Sequence, residues 1–476
     1  MTLKELLLMR HEWLLVFAAV TVLFCEIALP DERKKIIPNI AIGLSGVLVL
    51  AGFLPSEEGS LFGGMYITDH LRIFMKNILQ VGAFLIFLLS EPWLRRPAMQ
   101  NRSTEFYLLI FSSLTGASYL LSAGHFLMFY LALELLTLPV AALAAFEYYE
   151  HKSAEAGIKL ILSSAFSSAV LLFGISLLYA TGTSLYFHQF VFQSSPFTLI
   201  ALIFLLSGLA FKISLVPFHL WTADVYEGSP TANTAYLSVI SKGASVFVLI
   251  LVLFSLFKEA SSWWNDIIYV LAALTMTIGN LFALRQHNLK RFLAFSSIAQ
   301  AGFIMLGVVQ ADVIGAGTVL YFVFIYLFSN LAAFGVVMVA EQFTGAVTIR
   351  DFNGFYSTNP RLSLVMLLAL FSLAGIPPLA GFFGKFFLFM AVAERGYYLL
   401  LGIAVLNAVI SLYYYLIVVK AMFIEENPRP LPTVNSPLAV KFGLLICVAG
   451  MVVTGFIGNL FDYIRELVTG WLYGLA

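Results

Sequence analysis

The stretch LAFKISLVPFHLWTADVYEGSPTANTAYLSVISKGASVF, from Leu209 to Phe247, decides how the chain is interpreted. It is mostly apolar, yet it carries lysines at Lys212 and Lys242 and a proline at Pro217 between them. Charged side chains are costly inside a membrane, and a proline removes a helical hydrogen bond. The stretch therefore predicts a broken membrane helix followed by a second helix, with lysines that face protein or water rather than lipid.

Composition places the whole chain in a membrane. Of its 476 residues, 61% are hydrophobic and 11% are charged, whereas soluble domains average about 25% charged residues. The formal net charge is zero, which argues against a nucleic-acid partner. The only cysteines, Cys25 and Cys447, are too few for an iron–sulfur cluster, and no nucleotide-binding glycine motif occurs. We expect no redox cofactor, nucleotide or metal site in this chain.

Hydropathy predicts an all-α polytopic membrane protein with about fourteen transmembrane helices in a single membrane domain, residues 1–476. Each crossing needs about 20 apolar residues. The predicted segments are 12–29, 36–53, 72–91, 105–122, 125–147, 155–180, 198–217, 233–256, 267–284, 291–310, 316–343, 361–390, 400–424 and 437–461.

The distribution of lysine and arginine predicts the orientation. The chain has 26 lysines and arginines. Of these, 15 lie in loops that follow odd-numbered predicted helices, and one of the 15 is Arg429. Another 7 lie on the opposite side of the membrane. By the positive-inside rule the richer side is cytoplasmic. Both termini then face outward.

The remaining four basic residues lie within predicted helices. They are Lys159, Lys212, Lys242 and Lys385. Each would cost roughly 2.5–3.5 kcal/mol at a helix centre facing lipid, so we expect them to face the protein interior or a hydrated path. Burial disfavours a charged ammonium, and a nearby carboxylate favours it. Glu134, in LALELLTLPVAAL, is such a carboxylate, so a Glu–Lys pair that opens and closes would form a proton relay. A static ion pair joining two helices is the alternative.

Polar residues also follow the first break. His219, Asp224 and Glu227 lie just beyond Pro217, at the predicted cytoplasmic end. They could deliver protons from the cytoplasm, or they could cap a broken helix.

A second break is predicted in LAGIPPLAGFFGKFFLF, where Pro377 and Pro378 precede Lys385. The two broken helices are the predicted seventh and twelfth, five apart. Interrupted segments at corresponding places in two halves are typical of internal repeats with a functional site at the breaks. We expect two inverted five-helix repeats, at about 105–256 and about 267–424, flanked by helices 1–3 and 14.

Three motifs, FKISLVPFHLWTADVYEGSPT, LKRFLAFSSIAQAGF and AGIPPLAGFFGKF, carry a resemblance that covers most of the chain. They resemble the antiporter-like membrane subunits of respiratory complex I, the proton-pumping NADH:quinone oxidoreductase, and in particular its N branch. One departure is Ala223, where the family usually has proline.

The resemblance implies a role for each buried charge. Glu134 matches the fifth-helix glutamate that modulates its partner, Lys212, the lysine of the broken seventh helix. Lys242 matches the central eighth-helix lysine, and Lys385 matches the twelfth-helix lysine that leads outward. Lys159 matches a sixth-helix lysine of the N branch.

The resemblance also implies a setting. The chain would translocate protons as a subunit of a bacterial inner-membrane oxidoreductase, beside M-type and K-type subunits, in the lipid bilayer. FMN, iron–sulfur clusters and quinone would belong to the partners, and this chain would have no catalytic redox site. Two alternatives remain open: a cation/proton antiporter subunit that works without redox partners, and a membrane subunit of a hydrogenase-type complex.

Overall fold

The computed structural model describes residues 3–182, 184–428 and 431–474, which form a bundle of α-helices with one small β-hairpin. The helices are α1 Leu3–Leu8, α2 Arg10–Ala28, α3 Ile37–Gly52, α4 His70–Leu94, α5 Pro97–Gln100, α6 Ser103–Leu121, α7 Phe126–Ala144, α8 His151–Ala180, α9 Pro196–Ile213, α10 Leu220–Gly228, α11 Thr231–Tyr236, α12 Lys242–Ser255, α13 Ser261–Ala283, α14 Leu289–Gln310, α15 Val313–Thr344, α16 Phe355–Thr358, α17 Pro360–Ala374, α18 Ala380–Glu394, α19 Tyr398–Phe423, α20 Leu438–Phe456 and α21 Asn459–Gly474. The hairpin pairs β1, Gly59–Leu61, with β2, Tyr66–Thr68, in antiparallel register. Arg429 lies outside the described residues.

Within these described residues, twelve helical segments are long and apolar enough to cross a membrane. Every predicted segment overlaps one or more observed helices, and the all-α membrane fold is confirmed. The count of fourteen crossings stays a prediction, because α6, α17 and α18 are not among the twelve.

Three segments form the centre of the bundle. They are the continuous segment from α11 to α12 and the helices α14 and α15, whose apolar stretches are buried almost completely. A helix that is apolar on all sides is stable where protein surrounds it. Helices α2, α3, α19 and α20 lie at the periphery, where Phe24 and Leu406 are exposed. A polar side chain on a central helix therefore faces other helices and not lipid.

Glycines let two helix pairs approach closely. A Cβ on Gly116 would lie 2.3 Å from the backbone nitrogen of Leu136, and a Cβ on Gly302 would lie 2.5 Å from that of Met276. Small residues at helix crossings are the usual means of close packing in membranes. The backbones of α6 and α7, and those of α13 and α14, therefore pack directly against each other.

Both predicted breaks are confirmed. Helix α9 ends before Ser214, which has φ 68°, and α17 ends before Gly375, which has φ 89°. In each case a proline follows three residues later, at Pro217 or Pro378. Residues in the left-handed backbone conformation end helices because they turn the chain away from the helix axis. The two breaks share this geometry, which fits the predicted repeats, and the repeat boundaries stay a prediction.

The last helix, α21, was not predicted. The chain turns at Ile457 and Gly458, just after α20, and α21 then buries Ile464, Val468 and Trp471. It packs against α15 and α4. The hydropathy pattern instead predicts one helix from residue 437 to residue 461.

Candidate functional site

Lys212 lies in the last turn of α9, where the chain breaks. Its side chain is buried, and its Nζ donates to Thr137 Oγ1 of α7 at 2.7 Å and to Ser164 Oγ of α8 at 2.8 Å. A helix C-terminus favours a cation because its last carbonyl groups carry partial negative charge. The ammonium is thus held by neutral oxygens at the end of a half-helix.

Glu134 lies one turn before Thr137 on α7. It is half-buried, and its Oε1 has no hydrogen-bond partner in the described part of the chain. It lies near enough to Lys212 to interact electrostatically, but the bonds that the structure gives Lys212 go to hydroxyl groups. The predicted Glu134–Lys212 pair is therefore not a direct hydrogen-bonded pair in this structure.

Lys242 begins α12, directly after a π-helical turn, Leu237–Ser241. Its side chain is buried, and its Nζ donates to Ser297 of α14, to Oγ at 2.6 Å and to the carbonyl oxygen at 3.3 Å. The ring centroid of Tyr226 lies 6.0 Å from Nζ. Single π-helical turns occur frequently at functional sites. Here too the ammonium has only uncharged partners among the contacts described.

Lys385 lies on α18, beyond the second break, and reaches back across it. Its Nζ donates to the carbonyl oxygen of Ala374 at 3.1 Å and to Ser411 Oγ at 3.4 Å. Nζ also lies 4.6 Å from the ring centroid of Phe303, within the range of a cation–π contact. Ala374 ends α17, so its carbonyl is one of those left unpaired at a helix end.

Polar side chains of α14 and α19 lie between Lys242 and Lys385, and hydrogen bonds join some of them. Ser296, next to Ser297 on α14, bonds to the hydroxyl of Tyr415 on α19. Gln300, one turn further along α14, donates from Nε2 to Tyr415 Oη at 3.2 Å and to the Leu373 carbonyl at 3.0 Å. Leu373 precedes Ala374, which accepts from Lys385. We call Ser296, Ser297, Gln300 and Tyr415 the polar bridge.

Lys159, which is predicted to face the protein interior or a hydrated path, is not enclosed by the protein, and its role stays a prediction. Its side chain is 41% exposed and forms ion pairs of 2.6 Å with Glu155 and with Asp224. Helix α8 has 30 residues, which at about 1.5 Å per residue make it longer than the roughly 30 Å hydrocarbon core. The first turns of α8, which hold Lys159, can therefore extend into water.

His219 is buried just before α10, and its Nδ1 has no hydrogen-bond partner within the described ranges. The acidic residues of α10, Asp224 and Glu227, form ion pairs with neighbouring helices. Arg291 of α14 pairs with Asp224 at 2.7 Å and with Glu227 at 3.1 Å, and Lys152 pairs with Glu227 at 2.9 Å. These pairs connect α10 to α8 and α14, and proton delivery by Asp224 and Glu227 stays a prediction.

Comparison with known proteins places this geometry in a family. The family model described as NADH:quinone oxidoreductase/Mrp antiporter, TM, matches residues 123–411. The chain belongs to this family. The matched region includes both helix breaks, Glu134, and the buried Lys212, Lys242 and Lys385.

Individual members of the NADH:quinone oxidoreductase/Mrp antiporter family match almost the whole chain. NADH-quinone oxidoreductase subunit N of Phocaeicola vulgatus is 46% identical over 469 residues, covering 98% of this chain and 99% of that protein. A chain of respiratory complex I from Thermus thermophilus superposes with a TM-score of 0.80 at 28% identity, covering 94% of this chain and 98% of its own length. A chain of the Mrp complex from Dietzia sp. DQ12-45-1b has a TM-score of 0.87 at 19% identity, covering 99% of this chain and 98% of its own, which shows the shared fold.

The residues of the polar bridge were not among the site residues predicted from the sequence. Ser296, Ser297 and Gln300 all belong to the motif LKRFLAFSSIAQAGF, which carries part of the family resemblance. A usable signal existed, because positions 296 and 300 lie one turn apart on the same face of a mostly apolar helix. Tyr415 carried no such signal, since only the folded structure brings α19 to α14.

The structure also bears on cofactor sites. Among the residues it describes, no group of three or more His, Cys, Asp or Glu side chains is arranged to hold a metal ion. Cys25 and Cys447 are free.

Proposed function

We propose that this chain translocates protons as an antiporter-like membrane subunit of an NADH:quinone oxidoreductase complex. The observation that carries the proposal is common to Lys212, Lys242 and Lys385. Each is buried, and each donates only to hydroxyl or carbonyl oxygens in its described hydrogen bonds. Without a carboxylate partner, the charged form of a buried lysine is only weakly favoured, so it can release a proton at low cost.

The proposed route begins on the predicted cytoplasmic side, around α10. Two features support uptake there: His219 is buried at the start of α10, and a cavity of 410 Å³ lies at its end. Glu227, Lys290 and Glu341 are among the residues that line this cavity. The buried segment that carries Lys242 begins at Thr231, which also lines it. A proton would therefore reach Lys242 from a charged, water-accessible space.

From Lys242 the proton would move along the polar bridge to Lys385 and leave outward. Serine and tyrosine hydroxyls both donate and accept, so each can pass a proton on while it receives another. Lys385 would receive the proton at the open end of α17. Glu134 would set the charge of Lys212 through space, because the two groups share no direct hydrogen bond in this structure.

The redox chemistry would lie in partner subunits, with FMN, iron–sulfur clusters and quinone, and would act on this chain through neighbouring M-type and K-type subunits. The complex would sit in a bacterial inner membrane with both termini of this chain on the periplasmic face. A cation/proton antiporter that works without redox partners has the same fold. The relatives that match nearly the full chain at 46% identity support the oxidoreductase complex.

The test uses the purified complex in sealed vesicles that take up protons when NADH is supplied. Lys242→Ala is compared with Lys258→Ala, an exposed lysine at the start of a short 3-10 helix. The proposal predicts loss of proton uptake for Lys242→Ala only. Failure of the chain to purify with NADH-oxidising subunits would favour the antiporter alternative.

A further inference from the structure

A second buried ionic cluster lies outside the residues of the proposed relay. Lys76 of α4 forms an ion pair with Glu12 of α2, with Nζ 2.6 Å from Oε1. Tyr66 of β2 donates its hydroxyl to Glu12 Oε2 at 3.0 Å and accepts from Lys76 Nζ at 3.1 Å. The side chains of Lys76 and Glu12 are 0% and 1% exposed. Three ionisable groups therefore form a closed ring of hydrogen bonds inside the protein.

The groups around this ring leave it isolated from other charges. His11, next to Glu12, bonds to Asn77 Oδ1 through Nε2 at 3.0 Å, and Asn77 lies next to Lys76. Tyr119 of α6 packs its ring against that of Tyr66, with centroids 6.5 Å apart.

Arg10, the other charged residue near Glu12, binds backbone carbonyl groups and not the ring. Its guanidinium donates to the carbonyl oxygens of Gly52, Leu54 and Pro55. The ring thus contains one carboxylate and one ammonium, and its formal charge is zero.

A purely structural role does not account well for this cluster. Burying two charges costs several kcal/mol per ion, and a well-packed apolar pair of similar volume is often as stable or more stable. A ring of three ionisable groups can, however, take up a proton. The proton would bind to the Glu12 carboxylate and open the bond to Lys76, and its release would restore the ion pair. Burial raises the pKa of Tyr66 to about 12, so its phenol stays protonated at neutral pH and can relay the proton without becoming charged.

The ring lies close to an opening on the predicted outer side. A cavity of 650 Å³ is lined by residues 67–71, which directly follow Tyr66, and by residues of α21 such as Glu466 and Trp471. Lys76 is six residues into α4, which places it about 9 Å along the helix from that end. One to two helical turns therefore separate the ring from the cavity.

Polar character continues deeper along α4. Gln80, one turn after Lys76 and on the same face, is buried, and neither of its amide atoms has a partner in the described part of the chain. The neighbouring Leu79 lies at the depth of Lys242, because a Cβ on Gly243 would lie 3.4 Å from Leu79 Cδ2. Unsatisfied buried amides are rare in proteins and call for an explanation. Gln80 is placed to accept and donate hydrogen bonds between the depth of Lys76 and the depth of Lys242.

We propose that Glu12, held by Lys76 and Tyr66, is a second proton-binding site, through which protons from the depth of Lys242 reach the outer cavity by way of Gln80. This inference rests on the proposed function. It adds a release route through the flanking helices α2 and α4, which lie outside both predicted repeats.

The test replaces the whole pair by apolar residues of similar size, Glu12→Leu with Lys76→Met, in the assembled complex. The matched control is Glu26→Leu with Lys34→Met, which removes a 2.8 Å ion pair at the other end of α2. NADH-driven proton uptake is measured for both, beside wild type and Lys242→Ala. We expect the Glu12/Lys76 variant to assemble and to take up protons more slowly than wild type but faster than Lys242→Ala, because the route through Lys385 remains, while the control pumps normally.

Full proton uptake by the assembled Glu12/Lys76 variant, with uptake lost in Lys242→Ala, would overturn the inference and leave the proposed function intact. Normal uptake by Lys242→Ala would overturn the proposed function itself. A second measurement decides the matter if the double variant does not assemble. Infrared difference spectra of the turning-over complex should show a carboxyl protonation band that is absent in Glu12→Gln, and spectra that are identical for the two proteins would contradict the proposal.

Discussion

Lys385 donates its ammonium to the backbone carbonyl of Ala374, so the lysine of one half-helix closes the open end of the half-helix before it. The bond spans the break at Gly375 and combines a cation with the partial negative charge of a helix C-terminus. A proton that leaves Lys385 therefore weakens the contact between α17 and α18. Proton release and the geometry of the break are coupled in this arrangement.

The bond between Lys385 and Ala374 predicts that a positive charge at position 385 is not sufficient for pumping and that the residue must also release its proton. Lys385→Arg keeps a cation near the Ala374 carbonyl, but arginine does not deprotonate in proteins. We expect the variant to assemble and to lose proton uptake by about 100-fold, at the lower end of what positioned proton-transfer groups contribute. Lys258→Arg, at an exposed position, is the control. Normal pumping by Lys385→Arg would mean that the charge alone matters.

Ser297 is predicted to be a functional part of the polar bridge. Ser297→Ala leaves Lys242 with the weaker 3.3 Å bond to the carbonyl, so proton transfer should slow severalfold with a stability loss of about 1 kcal/mol. Ser176→Ala, which removes an exposed hydroxyl bonded within its own helix, is the matched control. Uptake rates and thermal unfolding are compared. Equal uptake rates for the two variants would remove Ser297 from the route.

Thr137 and Glu134 should act differently on Lys212. Thr137→Val removes a hydroxyl that accepts from the Lys212 ammonium, and an unsatisfied buried donor costs about 1–3 kcal/mol. Glu134→Gln removes no observed bond to Lys212, so it should leave stability unchanged and alter the rate of pumping. Thermal stability of the purified complex and NADH-driven uptake separate the two effects. Destabilisation by Glu134→Gln equal to that by Thr137→Val would indicate a direct pair after all.

The second break depends on Gly381. A Cβ at this position would lie 1.8 Å from the Ser372 carbonyl oxygen, so α18 could not pack against the end of α17. Gly381→Ala should destabilise by about 3 kcal/mol or more, at the upper end of overpacking costs, and reduce the amount of assembled complex. Gly402→Ala, where nothing lies within 4 Å of the added carbon, is the control. The yield and melting temperature of the two complexes check this prediction, and equal values would contradict it.

Sequence reasoning was most accurate where a residue type has a high intrinsic cost. Proline and glycine end helices through their own backbones, so both breaks could be predicted. A lysine inside an apolar segment must find partners, so the burial of Lys212, Lys242 and Lys385 followed from the sequence. The exposure of Lys159 could not be predicted in this way, because α8 is longer than the membrane is thick and apolar composition does not show where such a helix leaves the bilayer.

Contacts between distant segments could not be predicted in the same way. Thr137, and not Glu134, accepts a hydrogen bond from Lys212, which depends on the rotation of α7 about its own axis. Tyr415 joins the polar bridge because α19 packs against α13 and α17, which brings the Tyr415 hydroxyl within reach of Ser296 on α14. Glu12 and Lys76 lie near the ends of predicted helices, where the sequence indicates solvent, and the β-hairpin and α6 bury them.

The most direct test of the central claim is a double-mutant cycle of Lys242→Met and Lys385→Met, measured as NADH-driven proton uptake by the reconstituted complex. Residues that act in one continuous route are strongly non-additive, whereas independent sites add. The account predicts that the double variant loses no more uptake than the more impaired single variant. Losses that multiply would contradict it, because Lys242 and Lys385 would then serve separate paths.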